Sequence, residues 1–203
     1  MRLIACVVLA AVAAGCGSSR VYLNRDVTTA VVLAPLNDSM DASAPWKMWK
    51  YVEQEVAGRG FALVPHETVE KFYTDKKFTG DPGQIQAYTT QELAKIFNVD
   101  AVVWSNLSEW GATTLVVKTS VDVKLSAEIH DRDGQVVWKG EGEYGSSSSA
   151  KSWKGALWDT IGAAVTDPEK YAPGAAARCF AGLPWAGWDP DQPRAAAPAP
   201  AGK

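Results

Sequence analysis

The clearest pattern in the chain lies between Val117 and Ile129. Val117, Thr119, Val121, Val123, Leu125, Ala127 and Ile129 alternate with Lys118, Ser120, Asp122, Lys124, Ser126 and Glu128. Such alternation predicts a long β-strand with one packed and one wet face, because successive side chains of an extended chain point to opposite sides. "DRDG" (Asp131 to Gly134) predicts a hairpin turn, since Asp–Gly suits the positive backbone angles of a tight reversal. In the returning strand Val136, Trp138, Gly140, Gly142 and Tyr144 alternate with Lys139, Glu141 and Glu143. The serine run Ser146 to Ser149 predicts a flexible joint.

Elsewhere the period changes. "TAVVLAPLNDS" (Thr29 to Ser39) and "VDAVVWSNL" (Val99 to Leu107) are apolar runs without alternation, which predicts strands covered on both faces. Phe61 to Val64 predicts a further short strand. Ser43 and Pro45 open a helix that buries Pro45, Trp49, Val52 and Val56 and is closed by Gly58 and Gly60. A second helix carries Val69, Phe72 and Tyr73 on one side. After a loop from Phe78 to Gln84, Thr89 and Glu92 form a capping box for a third helix burying Leu93, Ile96 and Phe97. Leu157, Ile161 and Val165 share a face of another, and a short helical stretch follows around Gly174 to Phe180. The order β-α-β-α-α-β-β-β-α predicts one α/β domain, residues 29–188: an αβα arrangement with a mixed sheet of about five strands flanked by helices. No internal repeat is visible.

The N-terminus reads differently. Leu3 to Ala14 is an apolar run behind Met1 and Arg2, too short to span a bilayer but of signal-peptide length. It ends in "AAGC" (Ala13 to Cys16), a lipobox with Ala13 where leucine is commoner. The small residues admit a peptidase that cuts at Gly15–Cys16, and the thiol accepts diacylglycerol. Residues 1–15 are therefore expected to be a lipoprotein signal peptide, with Cys16 lipidated. Residues 16–28 are expected to be a tether, and residues 189–203 a disordered Pro/Ala-rich tail. Gly17, in place of the aspartate that retains lipoproteins at the inner membrane, points to the outer membrane with the domain facing the periplasm.

Composition narrows the function. The net charge is −3 over 203 residues with no dense basic patch, which argues against nucleic acid. Of three cysteines, Cys6 leaves with the leader and Cys16 is blocked, so Cys179 stands alone. His66, at a strand end, and His130, near the hairpin, have no metal-ligand spacing, and no cofactor is expected. Neither a nucleophile elbow nor a phosphate-cradling glycine loop is present. Asp131 to Gly134 lacks the further acids of a calcium loop. Two polar clusters remain at strand ends, where ligands of open sheets bind. The first holds Asn37, Asp38 and Ser39, and the second Asn106, Glu109 and Trp110. Turn chemistry and a core-sealing tryptophan account for both as well.

"VVLAPLNDSMDASAPW", "IFNVDAVVWSNLSEWGAT" and "VKLSAEIHDRDGQVVWKGEGEY" resemble a family of small Gram-negative lipoproteins typified by a meningococcal lipoprotein antigen. The likeness covers roughly Val31 to Pro184 and includes the Asn37–Ser39 turn and the Glu109–Gly111 stretch. It implies a domain similar to the N-terminal domain of TolB and to the core of CsgG. It also implies dimers or hetero-oligomers and partnership with a CsgG-like secretion lipoprotein, and it implies no enzyme activity. The expected role is a non-catalytic envelope scaffold or accessory. The alternatives are a small-ligand or glycan-binding lipoprotein that uses the two clusters, or an activator of a cell-wall enzyme.

Overall fold

The computed structural model of the chain describes residues 21–23, 25–115, 118–149 and 167–191. The expected leader, Cys16, the helix of Leu157, Ile161 and Val165, and the tail beyond residue 191 lie outside the described residues.

The alternating run takes part in the two longest ladders of one mixed sheet, one with the strand before it and one with its return. Its strands are β1 (Thr29–Val32), β2 (Leu36–Asn37), β3 (Ala62–Leu63), β4 (Ala101–Leu115), β5 (Lys118–Asp131) and β6 (Val136–Ser149). They lie in the order β3-β1-β4-β5-β6, with β2 also paired to β4. β1 runs parallel to β3 and β4, whereas β4, β5 and β6 form an antiparallel meander. The helices are α1 (Ala44–Ala57), α2 (His66–Asp75), α3 (Thr90–Phe97) and α4 (Ala172–Cys179). The α/β class with a mixed sheet flanked by helices is the one the sequence predicts.

Val121, Val123, Leu125, Ala127 and Ile129 are all buried, so β5 packs one face as its alternation requires. α1 covers the core with Pro45, Met48, Trp49, Val52 and Val56. The Trp49 ring is fully buried, and its Nε1 donates to the Val32 carbonyl at 3.0 Å. A large apolar surface is thereby dried without leaving a polar atom unpaired. On the same face α4 lies against β6 at two glycines. A Cβ on Gly142 would stand 2.2 Å from Cys179 N, and one on Gly140 2.3 Å from Cys179 O. The two glycines of the returning strand are thus the seat of a helix backbone.

Several expectations change. Thr29 to Ser39 does not stay one strand: Pro35 offers no N–H, and the run breaks into β1 and β2, giving six strands instead of five. β4 continues past Leu107 to Leu115, with a bulge at Ser108 between Leu107 and Glu109. The second polar cluster is therefore mid-strand and not at a strand end. Ser146–Ser149 is not a joint. It completes β6 opposite Lys118–Val121, because β5 presents a free row of backbone donors and acceptors that serine can pair as well as any residue. Ile96 is 48 % exposed, and Ala94 joins Leu93 in the core instead. Within the expected loop after Phe78, Asp81 caps a 3₁₀ turn (Pro82–Ala87) by accepting from Gly83 N at 2.8 Å. His66 opens α2 instead of ending a strand. The capping box is present as expected, with both Thr89 and Glu92 bonded across the head of α3.

Part of the segment expected to be tether belongs to the folded body. Leu23 N donates to Trp185 O and Trp185 N to Val21 O, each at 2.8 Å. Trp188 Nε1 donates to Asp26 at 2.9 Å. The two C-terminal tryptophans hold the entering chain.

Candidate functional site

Four of the expected site residues, Asn37, Asp38, Ser39 and Asn106, converge. Register sets Leu36 beside Asn106 and Asn37 beside Leu107, which brings Asp38 within reach of β4. Asn106 Nδ2 donates to Asp38 Oδ2 at 2.6 Å. Asn37 Oδ1 accepts from Ser39 N at 3.0 Å and Ser39 Oγ at 2.6 Å, and Asn37 Nδ2 donates to Asp41 O at 3.0 Å. Asn37 and Ser39 are thus a self-bonded turn. Asp41 accepts in turn from the Ser43 hydroxyl, whose bond is the main reason its carboxyl sits below the usual range.

Glu109 and Trp110 do not join them. The extra residue at Ser108 advances the pleat by one position, so Trp110 falls opposite buried Val123 and enters the core at 6 % exposure. Glu109 turns outward opposite Lys124. Among the described residues the Trp110 Nε1 lacks a partner within hydrogen-bond geometry, although the indole sits close enough to Asp41 to favour its carboxylate slightly.

Asn106 instead belongs to a groove of about 430 Å³ on the opposite face of the sheet from α4. Two successive cross-strand pairs make its floor, Trp104 with Glu128 and Asn106 with Ser126. One wall is Gln86 and Tyr88, at the 3₁₀ turn, with Thr89 and Thr90 at the head of α3; Leu36 closes the β2 side and His130 the hairpin side. The wall is pinned at two points. Trp104 Nε1 donates to Thr90 Oγ1 at 3.2 Å, and Gln91 Nε2 to Asp133 O at 2.7 Å.

Glu128 is the charged group of the floor. Its Oε1 accepts from Lys139 Nζ at 2.6 Å, which chiefly holds its carboxyl below the ordinary value, and its Oε2 lies 2.9 Å from His130 Nε2. Asn106 Oδ1 is buried and has no hydrogen-bond partner among the described residues. Among the described residues, no group of three or more His, Cys, Asp or Glu side chains is placed to hold a metal ion, and no helix is long and apolar enough to cross a membrane.

The sequence carries a weak signal for this groove. Ser126, Glu128 and His130 on β5 belong to the wet half of an alternating strand, whereas Trp104 and Asn106 lie in a run of β4 that shows no alternation. Its wall comes from a different part of the chain, and no spacing announces it.

A family model described as "Putative lipoprotein GNA1162-like" matches residues 22–170. A curated relative, "Putative lipoprotein NMB1124/NMB1162" of Neisseria meningitidis serogroup B, is 27 % identical over 134 residues, or 64 % of this chain. The chain spans 62 % of that relative's length. The crystal structure of lipoprotein GNA1162 from Neisseria meningitidis is similar in fold, with a TM-score of 0.54 at 23 % identity over 66 % of this chain and 94 % of that one. The PelC dodecamer from Paraburkholderia phytofirmans gives a TM-score of 0.46 at 13 % identity, over 79 % of this chain and 91 % of that one.

Proposed function

Because the chain belongs to the GNA1162-like lipoprotein family, we propose that it is a lipid-anchored, non-catalytic envelope domain that docks onto another protein close to the membrane. In this reading Cys16 carries the lipid, and the domain faces the periplasm from the outer membrane. The observation that carries it is the pairing of Val21 and Leu23 with Trp185. Only the residues between Cys16 and Val21 separate lipid from folded body, and fully extended they span at most about 16–18 Å. One acyl chain binds a bilayer marginally and two bind it stably, so a multiply acylated Cys16 holds the domain against the surface. So short a leash disfavours reach to an enzyme in a second membrane and favours a neighbour at the same surface, such as another copy or a CsgG-like lipoprotein.

A docking anchor is at hand where α4 meets β6. Exposed Tyr144 and Arg178 stack there at 4.6 Å, and Arg178 Nη1 is held by the Glu143 carbonyl at 2.9 Å. Tyrosine and arginine are enriched where binding energy concentrates. Crosslinking in intact cells, with the adducts identified by mass spectrometry, tests the reading. Discrete adducts heavier than the monomer are expected, weakened in Tyr144→Ala and lost from the membrane fraction in Cys16→Ser. Recovery of monomer alone contradicts it.

A further inference from the structure

We infer that the groove between the β4–β5 floor and the head of α3 binds a neutral saccharide of one or two rings. The inference does not depend on the lipid anchor or on a protein partner. The volume of about 430 Å³ lies within the range of small-ligand clefts, about 300–1,000 Å³.

The chemistry of the lining selects the class. Sugars present an apolar C–H face and a rim of hydroxyls, so their sites combine ring surfaces with uncharged donors and acceptors. Here Tyr88 and Trp104 supply half-buried rings and Ser126 an exposed hydroxyl, while the Thr89 hydroxyl is already engaged in the capping box of α3. Trp104 is fixed by its bond to Thr90, and Tyr88 by edge contacts to Phe72 and Phe78 at 5.6 and 6.4 Å. These rings are therefore set before a ligand arrives, which lowers the ordering cost of binding. Asn106 is oriented by Asp38, and its buried Oδ1 still lacks a donor. A buried acceptor left unpaired is destabilising, and a ligand O–H or N–H would relieve that.

Other classes fit less well. Among the described residues no lysine or arginine lines the groove, so it lacks the cationic side chain that phosphate or sulfate favours. The one carboxylate among its described lining residues, Glu128, is already paired with the Lys139 ammonium and approached on its other oxygen by His130, so its charge is met before any cation arrives. Lys76 Nζ already stands 5.7 Å from the Tyr88 ring, so a quaternary ammonium there would meet a like charge. An acyl chain would strand the amide and hydroxyl groups.

The test is ¹⁵N-detected titration of the mature chain with cellobiose and with N,N′-diacetylchitobiose, using choline and inorganic phosphate as controls. At least one disaccharide is expected to shift the Trp104 indole and Asn106 side-chain amide signals, saturating below about 10 mM, a weak but specific range. Ser126→Trp fills the groove from an exposed position and should fold normally; it should weaken binding at least tenfold. Asn106→Leu, which removes the acceptor, should do the same. Absence of shifts with both disaccharides overturns the inference. So do shifts that persist undiminished in Ser126→Trp, or saturation of the same signals by choline or phosphate but not by sugar.

Discussion

Gly142→Ala isolates what a backbone-to-backbone seat is worth. Strand propensity alone favours the change, because glycine in a strand interior costs roughly 0.5–1 kcal/mol relative to alanine. The structure reverses that sign. The new Cβ would meet Cys179 N at 2.2 Å, Ala175 O at 2.4 Å and Cys179 Cα at 2.8 Å. All three are main-chain atoms of α4, so no rotamer can relieve the clash, and the helix must lift by more than an ångström. Lifting it loosens buried Ala175, Ala176 and Cys179 and the stack of Phe180 on Trp138 at 5.2 Å. Overpacking of this kind costs about 1–3 kcal/mol, and for a chain of this size each kcal/mol lowers Tm by about 2–4 °C. Thermal melts by circular dichroism should therefore place Gly142→Ala about 2–12 °C below the parent. Gly182→Ala is the control, since nothing lies within 4 Å of its Cβ; its midpoint should move little. A Gly142→Ala protein as stable as the parent, or more so, would refute the packing of α4 on β6.

Two further predictions rest on single groups. Partial burial opposes charge on Asp100, but bonds from Thr28 and Thr29 outweigh it and hold the carboxyl below its ordinary value, with Arg132 paired to the other oxygen. A depressed folded-state value stabilises the protein above the unfolded carboxyl's pKa, about 3.9, and that stability is lost as pH falls through the lower folded value. Urea midpoints should accordingly drop below about pH 4 in the parent and drop less in Asp100→Asn, which should be weaker than the parent at pH 7; equal acid slopes would show that Asp100 is not the linked group. Cys179 is 2 % exposed, and burial, helped slightly by Glu141, pushes its thiol up to about 12. It should stay silent toward a thiol reagent at pH 8 until the protein unfolds; prompt labelling of the native state would contradict its burial.

How much was legible follows the period of the pattern. β5 could be read residue by residue because its alternation is unbroken and one face is dry. α1 and the capping box of α3 were readable for a similar reason: proline, tryptophan and paired Thr89–Glu92 act within one or two turns. The bulge at Ser108 left no such trace. It is one extra residue, set by pairing with β5, and it alone decides that Trp110 and not Glu109 faces the core. Ser146–Ser149 misleads because serine suits joints in isolation, whereas a long partner strand can recruit it. The groove was legible only in part: the β5 side of its floor is the polar face of an alternating strand, whereas the β4 side lies in a run that reads as covered on both faces. Its wall depends on where the 3₁₀ turn and α3 come to rest, a matter of tertiary packing.

In the proposed function, lipid on one sulfur, that of Cys16, holds this domain at a membrane. Intact-mass spectrometry of the protein purified from its own cell membranes tests it most directly. Cleavage at Gly15–Cys16, with a mass increment on Cys16 equal to a diacylglycerol and an amide-linked acyl chain, is the predicted result. A mature chain beginning elsewhere, or a free thiol at Cys16, would contradict it.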